Sequence, residues 1–468
     1  MKHIVVASLI VLVAGCAQYA RPPDLPALTE PSLPDVPPAW QVAQESLGDV
    51  AVGWIATLGD PVLTTLVEEA QANNRDLQAA LAALEQSRAI VRQARAALLP
   101  AIDYSLSGAQ GGRVSDDSSD AYSAGLSLGW ELDVWGRVRA SRNAAAYGAA
   151  SAEADYVFAQ YSLAASVAQT YFFVIESALQ EDVAQKNFDA LTETARIVGA
   201  QRELGAADAY DESLARSNLA TAQATLLQAA GAKRLAQRAL EVLVGRYPAD
   251  ALTTRPDLPA RPPIPLAGVP SDLLERRPDI IAAEMAVASA FSTVGATKAT
   301  RLPTFSLSGS LQGGGTQFGI PGGTAASLGD ALDADNSLWS LAVNLLGPLF
   351  DAGLRRAQID EATEAQRQAV ANYASTALNA FQEVENSLDQ NTVIAARVIA
   401  LREAAEAQNR ALELAQLRYQ EGETNLLDVL QVQSTTLSAD SALVTVRREQ
   451  LDEWIALNLA LGGSWQTP

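Results

Sequence analysis

Residues 122–132 read Tyr-Ser-Ala-Gly-Leu-Ser-Leu-Gly-Trp-Glu-Leu, apolar at every second position. Tyr122, Ala124, Leu126, Leu128, Trp130 and Leu132 fall on one side of an extended chain, and Ser123, Gly125, Ser127, Gly129 and Glu131 on the other. The same alternation recurs three times: Ile102, Tyr104 and Leu106 between Asp103, Ser105 and Ser107; Phe305, Leu307 and Leu311 among Ser306, Ser308 and Ser310; Trp339, Leu341, Val343 and Leu345 among Ser340, Ala342 and Asn344. The pattern predicts strands of about ten residues, apolar on one face with aromatics at several ends, as in membrane-spanning β-barrels. A polar loop at 116–120 joins the first pair, and a Gly-rich stretch at 313–323 the second. Four strands cannot close a barrel, and lipid does not tolerate an open sheet edge. Further strands must come from other copies of the chain.

Working outward from the strands, the remaining segments are helical and abnormally long. Residues 354–421 contain neither Gly nor Pro; as one helix they would extend about 100 Å, against a usual length of three turns. A second breaker-free run, 149–198, predicts a helix over about 138–203. Shorter helices are expected over 62–98 and 206–244. Ile394, Val398, Leu401, Ala405, Leu412 and Ala415 follow heptad-compatible steps, so close coiled-coil packing is expected. Heptads alone would equally suit a rod or scaffold. Apart from the N-terminus, no run of eighteen apolar residues predicts a transmembrane helix.

The chain repeats itself. Leu99-Pro100 before the first hairpin matches Leu302-Pro303 before the second, Gly136 matches Gly353, and Gly205 matches Gly422. Each half reads helix, hairpin, very long helix, tight turn, helix, which indicates duplication of one unit rather than a solenoid. The expected organisation is 54–250 for the first repeat, 251–268 for a linker, and 269–468 for the second repeat with a C-terminal segment.

Composition narrows the function. The formal charge is −21, with 33 Lys and Arg against 54 Asp and Glu. That balance argues against nucleic acid, whose phosphates need a basic face. The single histidine is His3 and the single cysteine is Cys16. Once the first fifteen residues are removed, no His-based triad, zinc site or thiol pair can be assembled. Adjacent carboxylates such as Glu68-Glu69 lack any pocket-forming context, and the Gly-rich loop is not followed by the Gly-Lys-Ser/Thr of a phosphate cradle. The chain is expected to be no enzyme and to need no cofactor or metal.

Lys2, the apolar run 4–13 and Ala14-Gly15-Cys16 form a secretory signal over 1–15. Leu12-Val13-Ala14-Gly15-Cys16 resembles a bacterial lipobox, which implies lipidation of Cys16. Ala17 and Gln18 follow it, where an Asp would favour retention at the inner membrane; delivery to the outer membrane is expected. Residues 16–53 are Pro-rich and suit an extended tether.

Three features resemble the outer-membrane factors of tripartite efflux pumps, the TolC/OprM/NodT-like family, in its lipoprotein branch. The first runs from Trp54 through Leu58-Gly59-Asp60-Pro61 to Leu63, Leu66, Ala70, Asn74 and Leu77. The second is Val269-Pro270-Ser271-Asp272-Leu273-Leu274-Glu275-Arg276-Arg277-Pro278-Asp279-Ile280, with Glu275 where a basic or small residue is common. The third is the pair of Gly turns after the long helices. The resemblance implies an α+β membrane protein. Its long coiled-coil α-helical barrel would join a trimeric twelve-stranded β-barrel, four strands per internally duplicated chain. It also implies a homotrimer in outer-membrane lipid, working with a periplasmic adaptor (membrane fusion) protein and an inner-membrane RND-type pump. A type I secretion exit duct would share this fold and is the alternative.

The family closes its tunnel beside the helix turns, and the resemblance places the gate here on Asp428, Asp211 and Tyr419. Asp211 and Asp428 each lie six residues after a turn glycine, and Tyr419 three before the second. Gln431 and Thr424 stand where the family has an aspartate and often an arginine, so the linkage must differ. Three copies of Asp428 in a narrow pore would form a ring that concentrates cations; the bland reading is a solvated carboxylate on a helix. Gly205 and Gly422 are expected at left-handed or tight-turn positions, at tips that dock the adaptor. Arg276 and Arg277 are expected to pair with carboxylates in the linker, beside Pro278 in a first helical turn and Asp279 at the positive end of the helix.

Overall fold

The structure is a computed structural model and describes residues 18–42, 53–111, 119–313 and 327–464. Cys16, the signal segment, parts of the tether and residues 112–118 and 314–326 of the hairpin connections lie outside the described residues.

The helices are α1 Leu25–Thr29, α2 Trp54–Thr57, α3 Pro61–Asn73 and α4 Arg75–Ala96, then, after the first hairpin, α5 Arg137–Glu203 and α6 Ala209–Leu243. In the second half α7 Pro270–Arg276 and α8 Pro278–Ala299 precede the hairpin, α9 Leu328–Ala331 lies within it, and α10 Leu354–Gln420 and α11 Leu426–Ala460 follow. The strands are β1 Ala101–Gly111, β2 Ser119–Leu132, β3 Thr304–Gly313 and β4 Ser337–Leu346. The duplication preserves the lengths of the helices after each hairpin: α5 and α10 are both 67 residues long and α6 and α11 both 35.

The chain divides into two units. One holds the described residues within Met1–Pro34, Ala82–Ala154 and Ile281–Thr376, including the sheet. Its four strands run antiparallel in the order β1-β2-β3-β4, so β2 and β3 join the two hairpins side by side. The register keeps Ile102, Tyr104, Leu126, Leu128, Phe305, Leu307, Val343 and Leu345 on one face of the sheet, as the alternation predicts. On β1 and β4 these residues are exposed, and so are Asp103, Ser105 and Ser340 on the other face. An apolar sheet face of this kind needs a non-aqueous neighbour. Strand limits differ from the sequence reading at the loops. Ser119 and Asp120 belong to β2 and Gly313 to β3, while α9 and a short 3-10 turn Ala334–Asn336 occupy part of the second connection. Gly313 leaves room for the Ala331 carbonyl, which a Cβ would strike. In the same unit the N-terminal segment passes α8 at Gly295, where an added Cβ would lie 2.6 Å from the Tyr19 carbonyl.

The second unit holds the described residues within Asp35–Leu81, Asp155–Ile280 and Ala377–Pro468. Its main core gathers Leu63, Leu66, Val67 and Ala70 of α3 against Tyr171, Phe172 and Ile175 of α5, Leu240 of α6, and Leu451, Trp454 and Ile455 of α11. The helix expected over 62–98 breaks at Asn74, which has extended backbone. Its side-chain oxygen accepts from the Leu77 amide at 2.9 Å, and its amide donates to the Leu243 carbonyl at 2.9 Å. Asn74 therefore starts α4 as a cap, a role open to Asn because it satisfies orphan helix-end groups. Asp60 explains the Leu58-Gly59-Asp60-Pro61 segment in the same way. Buried ahead of Pro61, it accepts from the amides of Val62 and Leu63 at 3.0 and 3.2 Å and from the Tyr171 hydroxyl at 2.8 Å. Of the heptad positions, Ile394, Val398 and Ala405 are buried and Leu401, Leu412 and Ala415 only half-buried.

Two helices, α5 and α8, are long and apolar enough by composition to cross a membrane, although neither holds eighteen consecutive apolar residues. In α5 that window is 61% buried inside the chain, and its side chains supply the core named above. Its hydropathy is accounted for by packing.

Candidate functional site

The two helix-turn-helix tips are built alike. α5 closes with Gly205 at φ 77°, and α10 with Gly422 at φ 78°. Each glycine amide bonds back to the residue three before it, Arg202 or Tyr419, at 3.1 Å. The next amide, of Ala206 or Glu423, bonds five back to Gln201 or Arg418 at 2.8 Å. These paired bonds satisfy carbonyls that a helix end would otherwise leave bare, and they require the left-handed residue that Gly adopts without penalty. A polar cap then opens the next helix. Asp208 accepts from the amides of Tyr210 and Asp211 at 2.8 and 2.9 Å, and Asn425 accepts from that of Asp428 at 2.9 Å.

Asp211 and Asp428 therefore occupy equivalent places in the first turns of α6 and α11. A carboxylate there is favoured by the helix dipole, by about 0.3–1 kcal/mol at an exposed site. Their surroundings differ. Asp428 is exposed, and the Thr424 hydroxyl donates to its Oδ2 at 2.6 Å. Thr424 thus holds the aspartate through a neutral hydrogen bond. Asp211 is half-buried and acts on Tyr419.

Tyr419 packs against a cluster formed by Leu191, Val198, Ala215, Ala222, Leu426 and Leu430. Its hydroxyl donates to Oε1 of Gln201 at 3.1 Å. Burial, and then the Asp211 charge, push the phenol above its ordinary range. The phenol stays protonated and remains a donor. Arg202, the first-repeat counterpart of Tyr419, lies 3.7 Å from Glu212. The structure thus ties Tyr419 to Gln201, with the Asp211 charge bearing on the phenol, while Asp428 is held by Thr424 and Asn425. Gln201, Arg202 and Glu212 were not singled out from the sequence; the repeat offset that equates Arg202 with Tyr419 was the available signal.

At the other end of this unit the arginine pair departs from expectation. Arg277 is 4% exposed. It contacts Asp279 at 2.9 Å and Glu383 at 2.5 Å, donates to the Ala460 carbonyl at 3.2 Å, and sits 5.9 Å above the Phe158 ring. Its carboxylate partners lie on its own helix start and on α10, not in the linker. The linker's Asp257 instead meets Arg447 at 3.4 Å, and Arg276 faces Asp272 at 3.9 Å. The reason is geometric: extended backbone at Arg277, between α7 and α8, turns its side chain inward toward the Asp279 carboxylate. Burial opposes the guanidinium charge, but Asp279 and Glu383 outweigh it and hold the group further up.

An exposed apolar sheet face, long paired helices and two capped tips define an outer-membrane channel protein. The chain belongs to the outer membrane efflux protein family, whose model matches residues 66–246 and again 269–463. It is 31% identical over 485 residues to the pyoverdine export outer membrane protein OpmQ of Pseudomonas aeruginosa, covering 100% of this chain and 98% of that one. It is also 31% identical over 418 residues to the solvent efflux pump outer membrane protein SrpC of Pseudomonas putida, covering 87% and 86%. Among solved structures, the outer-membrane channel OprN is similar with a TM-score of 0.80 and 28% identity, over 96% of this chain and 98% of that chain. The chain is an outer-membrane efflux channel of the kind that serves tripartite pumps.

Proposed function

We propose that three copies assemble into one passive exit duct, a twelve-stranded barrel in the outer membrane continued by a coiled-coil helical tunnel in the periplasm. The observation that carries this reading is the sheet: four strands, apolar on one face, with β1 and β4 each paired on one side only among the described residues. Unpaired backbone in lipid costs several kcal/mol per group, so the edges need partners. The helix-turn tips act as an iris-like gate around Asp428, Asp211 and Tyr419, and the surfaces beside Gly205 and Gly422 dock a periplasmic adaptor. Energy comes from an inner-membrane pump of the RND type. In this account 1–15 is a signal peptide, Cys16 a lipid anchor, 54–250 and 269–468 the two repeats, and 251–268 their linker.

Small molecules are the favoured cargo, because the relatives are named for pyoverdine export and solvent efflux. Light scattering of the detergent-extracted protein tests the assembly. Three chain masses per particle are expected, and a stable monomer would overturn the reading.

A further inference from the structure

The two hairpins share one register. β1 meets β2 with Ala101 opposite Gly129 and Ser107 opposite Ser123; β3 meets β4 with Thr304 opposite Leu346 and Ser310 opposite Ser340. A shift of 203 residues on the first strand and 217 on the second turns one set of pairs into the other. Even the hydroxyl contacts coincide, with Ser107 to Ser123 and Ser310 to Ser340 both at 2.8 Å. The two copies then meet through β2 and β3, in a seam that runs from Ala124 opposite Gly313 to Leu132 opposite Phe305. β4 is the second copy of β2, and β1 is the first copy of β3. The chain therefore contains one worked example of how the end of a hairpin joins the start of the next.

We propose that β4 of one protomer pairs antiparallel with β1 of the next in the register given by carrying the β2–β3 seam forward. Leu346 then lies opposite the partner's Ser105, Leu345 opposite the partner's Leu106, Asn344 opposite the partner's Ser107, and Val343 opposite the partner's Gly108. This deepens the proposed trimer and rests on it. The two edges suit this alignment. Leu345 and Leu106 are 61% and 62% exposed in the single chain and stand on the same apolar face. Asn344 opposite Ser107 repeats the polar pairing of Ser127 with Ser310. Gly347 comes next in line beside the partner's Tyr104, an aromatic covering a glycine that would otherwise leave a gap. A slip of one residue would place Leu345 opposite a serine and turn one strand's apolar face inward, so only shifts of two or more compete.

Disulfide trapping in the full-length protein tests the register, since Cys16 is the only native cysteine. Two double variants, Asn344→Cys with Ser107→Cys and Leu345→Cys with Leu106→Cys, sample adjacent pairs. One of them must be a closely spaced, non-hydrogen-bonded pair, at about 4.5 Å between Cα atoms. Oxidation should give covalent dimers and closed trimers on non-reducing gels. Asn344→Cys combined with Ser105→Cys or Ala109→Cys should cross-link roughly ten-fold less, because diagonal neighbours lie about 7–8 Å apart. Trimeric particles that cross-link best at a shifted pair, or at neither matched pair, would overturn the register and leave the trimer standing. Particles that are monomeric before oxidation would overturn the trimer as well.

Discussion

The Tyr419 hydroxyl donates to Oε1 of Gln201 at 3.1 Å, tying the last turn of α10 to the last turn of α5. The bond crosses from the second repeat to the first at the tips, where both long helices end.

Tyr419→Phe keeps the ring in its apolar cluster and removes only the hydroxyl, so it should weaken the tie by about 1 kcal/mol. If the tips form the closed end, Tyr419→Phe and Gln201→Ala should each raise open probability in planar bilayers about five-fold, and the double variant should add little. Single-channel recording reads this directly; additive effects of the two changes would show that they act through separate contacts.

Gly205→Ala and Gly422→Ala force a Cβ into left-handed backbone, at a cost of about 1–2 kcal/mol each. Nothing lies within 4 Å of either Cβ position, so the penalty is one of backbone alone. Both variants should assemble normally, with faster amide hydrogen exchange confined to the tips. Exchange rising throughout α5 or α10 would contradict a local role.

Arg277→Ala removes the buried guanidinium and leaves the Asp279 carboxylate, whose side chain is 19% exposed, without its partner, at a cost of about 3 kcal/mol. Glu383 has a side chain 54% exposed, so Glu383→Ala should cost under about 1 kcal/mol. Thermal unfolding of the purified assembly should rank the two in that order. Equal losses would mean that Glu383, rather than Asp279, is the principal partner.

Much of this fold can be read from the chain, and the unreadable parts share a cause. Alternation at 122–132 and the breaker-free run at 354–421 are local patterns, and both elements formed close to the expected limits. Local signals also mark Gly205 and Gly422, whose turns depend on one backbone angle. Asn74 was missed because a polar residue within a helical run looks like a solvated position, and only its bond to the Leu243 carbonyl makes it a cap. The Arg277 contact with Glu383 and the Tyr419 bond to Gln201 join residues far apart in the chain. No spacing rule announces such pairs. Asp211 and Asp428 share a position by duplication, yet their different partners became visible only with side chains in place.

Lipidation at Cys16 is expected to leave a mature chain that begins there. Mass spectrometry of membrane-extracted protein should find the N-terminal peptide carrying acyl mass, and Cys16→Ala should lose it. An unmodified N-terminus elsewhere would refute the anchor.

The claim that the tips govern passage is tested most directly at Asp428, whose carboxylate is exposed and held by Thr424. Reversal potentials in planar bilayers under a salt gradient should show a cation-selective wild-type pore, with selectivity reduced in Asp428→Ala. Multivalent cations should block the wild type at least ten-fold more strongly than the variant, since three carboxylates can hold one ion and three methyl groups cannot. Unchanged selectivity and block in Asp428→Ala would contradict the account and place this carboxylate away from the pore.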